Sequence, residues 1–307
     1  MPKIVRFHKT GEADVLQVED LPVTDTGKGE VRLKVEAIGL NRAEIMFRRV
    51  QYLEVPQFPS RLGYEASGFI DAVGPDVSGL RISEHVSTIP SFPIGQYGVY
   101  GESAIVPASA VAGYSDNLLS IEGAAIWMQY MTAYGALIEF GQLRRDDAVL
   151  ITAASSSVGL AAIQITKAMG ALAIATTRGS DKKAVLLEAG AKHFIVMDEE
   201  DLVEQGRALT AEKGFRIVFY PIAGPFIEQL ADVTAISGLI FEYGALSPSP
   251  TPFPLFPALS KALTIRGYTL FEIVQDPDML SRGKDYIYRG LQYGSLRPII
   301  DRAFPLR

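Results

Sequence analysis

The sequence contains no cysteine, and histidine is scarce, with three residues among 307. The absence of cysteine excludes a disulfide framework, thiolate catalysis and a Cys-rich zinc site. The nitrogen ligands that remain are His8, His85 and His193, which show no metal-ligand spacing. Because a catalytic zinc needs three protein ligands in tetrahedral geometry, we expect no zinc in this protein.

Basic clusters and long apolar runs are absent as well. No run of Lys and Arg is longer than a pair, and the formal net charge is −6, so we expect no nucleic acid as a main partner. No stretch of about 18 residues is apolar enough to span a membrane, and the N-terminus lacks the apolar core of a secretory signal. We therefore expect a soluble, cytoplasmic protein without a membrane partner.

The pattern of hydrophobic residues predicts two domains with different secondary structure. Hydrophobic residues make up 48% of the chain and charged residues 21%, as in an ordinary globular protein. Up to about Val106, short period-two segments broken by Gly, Pro and Asp are typical of an antiparallel, barrel-like unit. After Ser120, continuous apolar strands alternate with helices, which predicts an α/β fold with a doubly wound parallel sheet of up to six strands. We expect three of the helices to stop at Gly170, Gly190 and Gly214.

A turn of small residues follows the first predicted strand of this sheet. Val149-Leu-Ile-Thr runs into AASSSVG and then into a helix. A dinucleotide-binding fold has its phosphate loop at this position, because small residues let the backbone approach a pyrophosphate. Ser156, Ser157 and Val158 would then present their N–H groups to the phosphates at the helix start. By itself, such a turn is equally compatible with a purely structural role.

The end of the next strand favours one form of the cofactor. An NAD-specific site has an acidic residue there, which binds the ribose hydroxyls, but this chain has Thr177 and Arg178. Together with Lys182 they offer hydroxyls and positive charge, which suit a 2′-phosphate and favour NADPH over NADH. The alternative is a solvated basic face with Asp181 as its counter-ion.

Six segments carry a resemblance to a known family: GLNRAE, RLGYEASG, AVGPDVSG, MTAYGAL, AASSSVGLAAIQ and GALS. In order and spacing they resemble the medium-chain dehydrogenase/reductase superfamily, and within it the zinc-free NADPH:quinone oxidoreductases of the zeta-crystallin-like family. The resemblance implies a GroES-like β-barrel catalytic domain at 1–120, joined by about 272–307, and a Rossmann NADP-binding domain at 121–271. It also implies an active site in the cleft between the domains and a homodimer paired through the edge of the Rossmann sheet.

The same resemblance assigns two catalytic candidates. Zinc-dependent relatives have metal ligands at the positions that look like Asn41 and Tyr64. Without a metal, the acceptor should be one that takes hydride by conjugate addition, a quinone or an α,β-unsaturated carbonyl, and that needs only hydrogen-bond donors and a proton. Asn41 is implied as a donor near the nicotinamide, or it merely caps a predicted short helix that carries Ile45 and Met46 on one side.

Tyr52 is the second candidate, and further residues are implied for the nicotinamide. The resemblance puts Tyr52 on a cleft-lining loop, where its phenol serves the acceptor oxygen or simply packs. Thr132 is implied near the nicotinamide, or its hydroxyl bonds the carbonyl four residues earlier. Strand ends that line the pocket correspond to Gly244, Leu270 and Phe271.

Three functions remain open on the sequence. The first is an NADPH-dependent quinone or enone reductase acting without a metal. The second is a zinc-free alcohol or aldehyde reductase of the same superfamily. The third is a non-catalytic NADPH-binding structural or regulatory protein, because one scaffold supports many functions.

Overall fold

The computed structural model describes residues 1–115 and 117–306. The chain forms two compact units, one made of Met1–Met128 with the segment from Pro298 onward, and the other of Gln129–Arg297. The division predicted from the sequence, at 120/121 and 271/272, stays a prediction about domains. Arg307, the last residue of the predicted segment 272–307, lies outside the described residues.

The first unit is built on antiparallel strands. Five of its strands form one sheet in the order β6-β3-β4-β5-β7, and β1 pairs with β2. Side chains that point inward from this sheet are fully buried, as in Val31, Leu33 and Ile70. The strands are β1 (Lys3–Phe7), β2 (Leu16–Asp20), β3 (Glu30–Gly39), β4 (Glu65–Val73), β5 (His85–Thr88), β6 (Ser103–Pro107) and β7 (Val111–Gly113). The helices are α1 (Arg42–Arg48), α2 (Ile94–Tyr97) and α3 (Ser120–Gly123), followed by α4 (Trp127–Tyr134), in which the chain passes to the second unit.

Helix α1 begins after Asn41, as predicted, but a different face is buried. Its buried residues are Glu44, Phe47 and Arg48, whereas Ile45 and Met46 are only half-buried. Positions 44, 47 and 48 lie on one side of a helix with 3.6 residues per turn. The ring of Phe47 packs edge-on against the ring of Phe7 in β1, with centroids 5.8 Å apart. The side that carries Ile45 and Met46 is therefore not the most deeply buried one, and the carboxyl group of Glu44 is buried instead.

The second unit confirms the predicted doubly wound α/β sheet. Its six strands are all parallel, in the order β10-β9-β8-β11-β12-β13. Because helices cover both faces, the central strands are largely apolar. The strands are β8 (Ala148–Ile151), β9 (Leu172–Thr177), β10 (His193–Val196), β11 (Phe215–Tyr220), β12 (Thr234–Glu242) and β13 (Thr264–Gly267). The helices are α5 (Ser157–Ala168), α6 (Lys183–Ala189), α7 (Leu202–Leu209), α8 (Ile227–Val233), α9 (Leu255–Lys261), α10 (Phe271–Val274) and α11 (Pro277–Gln292), and a π-helical turn at Gly135–Phe140 continues α4.

The strand order marks the place where such a sheet binds ligands. The chain runs from β8 to β9 and β10 on one side of β8, and it then crosses over to β11, β12 and β13 on the other side. Ligands of doubly wound sheets bind outside the carboxyl ends of the strands at this switch point. Within the described ranges, no helix has both the length and the apolar character that a membrane span requires.

Candidate functional site

The turn between β8 and α5 lies at the carboxyl end of β8. Its serines, 155–157, are exposed, and Ser156 is the N-cap of α5, with a hydroxyl that accepts a hydrogen bond from the Gly159 N–H at 3.1 Å. The first N–H groups of a helix have no partner within the helix, and the helix dipole adds positive potential there. The structure therefore brings the predicted residues Ser156, Ser157 and Val158 together at a helix start that suits a phosphate.

Gly159 lets α5 approach this turn closely. A Cβ atom at Gly159 would stand 2.6 Å from the carbonyl oxygen of Ala154 and 2.7 Å from its Cα, closer than non-bonded atoms approach. The preceding residue of the turn, Ala153, has a φ of 47°. The backbone thus bends in a space almost free of side chains, which is what a loop around a pyrophosphate requires.

A tyrosine that the sequence analysis did not single out lies beside this turn. Tyr243 follows β12, and its ring stacks on Phe219 of β11 at a centroid distance of 4.0 Å. Its hydroxyl is buried next to the Ser156 side chain and has no partner of good hydrogen-bond geometry within the described ranges. Burial raises the pKa of Tyr243, so this phenol is a neutral donor. The signal that could have found it is its place directly before Gly244 at a strand end.

The carboxyl end of β9 carries the predicted 2′-phosphate residues. Thr177 is buried, and its hydroxyl donates to the carbonyl oxygen of Gly179 at 3.1 Å. Lys182 lies 3.7 Å from the carboxylate of Asp181, whereas the exposed Arg178 takes part in no ion pair of the described residues. Of the two cations, Arg178 is therefore the one whose charge is not already neutralised.

The remaining predicted cofactor residues divide into two places. Gly244 follows β12, and Leu270 and Phe271 come shortly after β13, so all three lie beyond carboxyl ends of neighbouring strands. A Cβ atom at Gly244 would stand 3.0 Å from the carbonyl oxygen of Pro221, because the chain segments after β11 and β12 run close together. Thr132 is instead a buried residue within α4.

Three features of the second unit suit a bound dinucleotide. The turn offers helix N–H groups and backbone space for a diphosphate, and the Tyr243 hydroxyl is a buried donor beside it. Arg178, one strand away, is a cation without an ion pair among the described residues. Each is a group that a phosphate or ribose oxygen would satisfy. The residues present therefore fit a nicotinamide dinucleotide, and Arg178 suits its phosphorylated form.

In the first unit, Asn41 is held by two glutamates. Its backbone N–H donates to Oε2 of Glu44 at 2.8 Å, and its side-chain Nδ2 donates to Oε2 of Glu65 at 3.0 Å. A primary amide has two N–H bonds, so one hydrogen of Nδ2 remains for another acceptor. Asn41 is thus the N-cap residue of α1 with a side-chain amide oriented by Glu65, and its predicted place near a nicotinamide stays a prediction.

The two glutamates are buried carboxyl groups that the sequence analysis missed. Glu44 is 3% exposed and Glu65 is 5% exposed. Burial raises the pKa of Glu44 to about 8, with the charge of Glu65 acting in the same direction. Burial likewise raises the pKa of Glu65 to about 7, against hydrogen bonds from the Met128 N–H at 2.9 Å and from Asn41. The Asn-x-x-Glu spacing of a capping box was the sequence signal for Glu44.

Tyr52 lies in the loop after α1 and is half-buried. Its ring contacts Tyr64 at a centroid distance of 6.3 Å and an interplanar angle of 60°. Burial raises the pKa of Tyr52 to about 12, and a hydrogen bond from Tyr64 opposes that rise. Tyr52 is therefore protonated at neutral pH, and its service to an acceptor oxygen stays a prediction.

Residues 1–115 and 117–306 contain no group of three or more His, Cys, Asp or Glu side chains placed to hold a metal ion. His85 lies on β5 and is exposed, and His193 lies on β10 and is half-buried.

Two family models match the chain. The model described as an alcohol dehydrogenase GroES-like domain matches residues 27–132, and the model described as a zinc-binding dehydrogenase matches residues 157–282. The first match covers the five-stranded antiparallel sheet of the first unit, and the second begins at the start of α5 and covers five of the six strands of the parallel sheet. The two described regions thus correspond to the two folds that the resemblance implied.

Named relatives point to oxidoreductases. Quinone oxidoreductase 1 of Escherichia coli (strain K12) is 31% identical over 253 residues, which are 80% of this chain and 74% of the relative. A crystal structure of Escherichia coli quinone oxidoreductase complexed with NADPH is 26% identical, has a TM-score of 0.88, and is matched over 97% of this chain and 90% of that one. A crystal structure of an NAD-dependent alcohol dehydrogenase is 30% identical, with a TM-score of 0.88 and coverage of 97% and 91%.

Proposed function

The chain belongs to the quinone oxidoreductase family of the medium-chain dehydrogenase/reductase superfamily, and from this membership we propose that it is an NADPH-dependent reductase. The proposed reaction transfers hydride to a quinone or to an α,β-unsaturated carbonyl without a metal. A homodimer formed along β13, which ends the strand order of the sheet, is part of the proposal.

The observation that carries the choice of cofactor is Arg178. It is an exposed guanidinium without an ion pair among the described residues, and it follows the strand end where an NAD-specific site has an acid. A guanidinium binds a phosphate through two parallel charge-assisted hydrogen bonds. NADPH, which carries a 2′-phosphate, is therefore the expected cofactor, and the phosphate turn with Tyr243 would hold its diphosphate.

The acceptor chemistry is assigned to residues of the first unit. Reduced nicotinamide supplies the hydride when bound. The enolate or quinolate that results from hydride addition needs donors at its oxygen, and the free N–H of the Asn41 amide and the Tyr52 hydroxyl are the proposed donors. Glu65 fixes the Asn41 amide so that only one of its hydrogens remains to be donated.

A second candidate function rests on one specific comparison. The NAD-dependent alcohol dehydrogenase matches this chain with 30% identity and a TM-score of 0.88. That likeness favours an alcohol or aldehyde reductase as the alternative. The third possibility from the sequence, a protein that binds NADPH without turnover, becomes an outcome of the same experiment.

The proposal is tested by following oxidation of NADPH with a simple quinone, a cyclic enone and a simple aldehyde, with NADH in parallel and a chelator present throughout. We expect turnover of the quinone or enone, a preference for NADPH, and no effect of the chelator. Comparable turnover of the aldehyde would promote the second candidate. Tight binding of NADPH without turnover of any acceptor would refute the reductase.

A pair of arginine variants tests the cofactor assignment. Arg178→Ala should weaken NADPH binding by about 10-fold to 100-fold and leave NADH binding unchanged, because charge-assisted hydrogen bonds contribute about 1.5–3 kcal/mol. Arg144→Ala is the matched control, since Arg144 is an exposed arginine near the amino end of β8, at the opposite edge of the sheet. Equal loss of NADPH and NADH binding in Arg178→Ala would contradict the assignment.

A further inference from the structure

Tyr64 is a fully enclosed tyrosine directly before β4. It is 1% exposed, and its ring packs against Phe92 at a centroid distance of 5.8 Å. Its backbone N–H donates to Oε1 of Glu44 at 3.2 Å, and its carbonyl oxygen accepts from the Thr88 hydroxyl at 2.8 Å. Both its backbone and its ring are therefore fixed, so the direction of its hydroxyl is fixed as well.

The Tyr64 side chain contacts the side chain of Tyr52. The two rings make an edge contact with centroids 6.3 Å apart, and a hydrogen bond joins the two hydroxyls. While both hydroxyls are protonated, either can donate in this hydrogen bond. Once Tyr52 has lost its proton, its oxygen can only accept, so Tyr64 is then the donor.

The ionisable side chains that act on both tyrosines of the pair, within the described ranges, are carboxyl groups. The nearby side chains are the carboxyl groups of Glu44 and Glu54, and both raise the pKa of Tyr52 and of Tyr64. Glu54 accepts the N–H groups of Ile94 and Gly95, each at 3.0 Å, so its oxygens face the start of α2. Among these neighbours, Tyr64 is the group that stabilises negative charge on the Tyr52 oxygen.

We propose that Tyr64 is a positioning residue for proton delivery by Tyr52, a role that rests on the proposed reductase function. Hydride addition to the acceptor leaves negative charge on the acceptor oxygen. The Tyr52 O–H bond breaks and its proton forms the new O–H bond of the enol or quinol. The Tyr64 hydroxyl stabilises the remaining Tyr52 phenolate until water returns a proton to it.

The pair is tested first without cofactor or turnover. Incorporation of 3,5-difluorotyrosine in place of Tyr52 gives a more acidic phenol whose titration is followed by fluorine NMR. We expect Tyr64→Phe to raise the pKa of this phenol by about one to two units, since a hydrogen bond to a charged group contributes that much. Tyr64→Leu should give the same shift, and Trp127 fluorescence reports whether each variant is folded.

Tyr114→Phe is the matched control. Tyr114 is a buried tyrosine of the same unit, 8% exposed, whose hydroxyl has no hydrogen-bond partner within the described ranges. Its replacement should leave the titration at position 52 unchanged. An unchanged titration in both Tyr64 variants would overturn the proposed pair whatever the protein catalyses.

Kinetics then separate this proposal from the proposed function. Tyr64→Phe should lower kcat about tenfold with little change in the KM for NADPH, because one hydrogen bond to a charged oxygen is lost. In a Tyr52→Phe background, the same substitution should have no further effect. An undiminished effect there would overturn the role of Tyr64, whereas full activity of Tyr52→Phe alone would refute the proposed donor itself.

Discussion

The buried carboxyl of Glu44 predicts that the first unit loses stability as the pH rises through neutrality. The pKa of Glu44 is raised from 4.5 to about 8 by burial, so at pH 6 the folded unit holds a proton that the unfolded chain has released. A group with a raised pKa stabilises the fold fully below its unfolded pKa, and this contribution is lost as the pH rises towards its folded pKa. Raising the pH therefore favours unfolding.

The magnitude follows from the size of the shift. Between the two pKa values, each pH unit costs about 1.4 kcal/mol for one such group, so from pH 5.5 to pH 7.5 the loss due to Glu44 is roughly 3 kcal/mol. Glu65, whose pKa is raised to about 7, acts in the same direction over the lower part of this range. The free energy of unfolding should therefore fall steeply with pH, and Glu44→Gln should remove about half of the slope.

The assay is urea unfolding at several pH values, followed by the fluorescence of Trp127. Trp127 is the only tryptophan and is fully buried in the unit that contains Glu44. The Glu44→Gln variant should be less stable than wild type at low pH. Each carboxyl oxygen of Glu44 accepts a hydrogen bond from a backbone N–H, and the side-chain NH₂ of glutamine cannot accept one of them. This loss of stability is the same at every pH, so it does not change the slope of the free energy of unfolding against pH, which is the quantity compared.

Glu122→Gln is the control for the slope. Glu122 accepts the backbone N–H of Leu119 at 2.9 Å at the start of α3, the same capping contact in a more exposed place. Its replacement should leave the wild-type slope intact. If Glu44→Gln and wild type show the same dependence on pH, the assignment of a proton to buried Glu44 is wrong.

Three further substitutions are expected to separate binding from folding. Gly159→Ala should abolish measurable NADPH binding in calorimetry, because its Cβ would stand 2.6 Å from a carbonyl oxygen of the phosphate turn, and wild-type affinity would contradict that geometry. Tyr243→Phe should weaken NADPH binding by about tenfold if the buried hydroxyl beside Ser156 donates to the cofactor, whereas unchanged affinity would leave it without this role. Ser87→Ala should lower the free energy of unfolding by about 1–3 kcal/mol in urea titrations, since the Trp127 Nε1–H, 2.8 Å from the Ser87 hydroxyl, loses its acceptor. An unchanged midpoint would contradict that estimate.

The architecture could be predicted because buried parallel strands leave a simple signal. Strands covered on both faces are largely apolar, and their alternation with helices predicted a parallel sheet of up to six strands. The small residues after the first of these strands predicted its phosphate turn. Two helix ends were predicted from glycine, at Gly170 and Gly190, where φ is 72° and 112°. Helix α7 ends at Leu209 instead of near Gly214, because the Thr210 hydroxyl donates to the Gly206 carbonyl oxygen and accepts the Gly214 N–H.

Much of the candidate site could not be predicted, because its contacts join distant parts of the sequence. Tyr64 lies twelve positions after Tyr52, and only the path of the intervening loop brings their hydroxyls together. The burial of Glu65 depends on packing around the start of α4, where it accepts the Met128 N–H. Charged residues are rarely buried, so composition and periodicity both predict an exposed glutamate there.

The most direct test of the proposed reductase is to locate the transferred hydrogen. NADPH deuterated at C4 of its nicotinamide is incubated with the protein, a cyclic enone and a chelator, and the product is analysed by NMR. The account predicts deuterium on the β-carbon of a saturated ketone, as conjugate addition of hydride requires. Deuterium on the former carbonyl carbon of an allylic alcohol, or product formation only without the chelator, would contradict it.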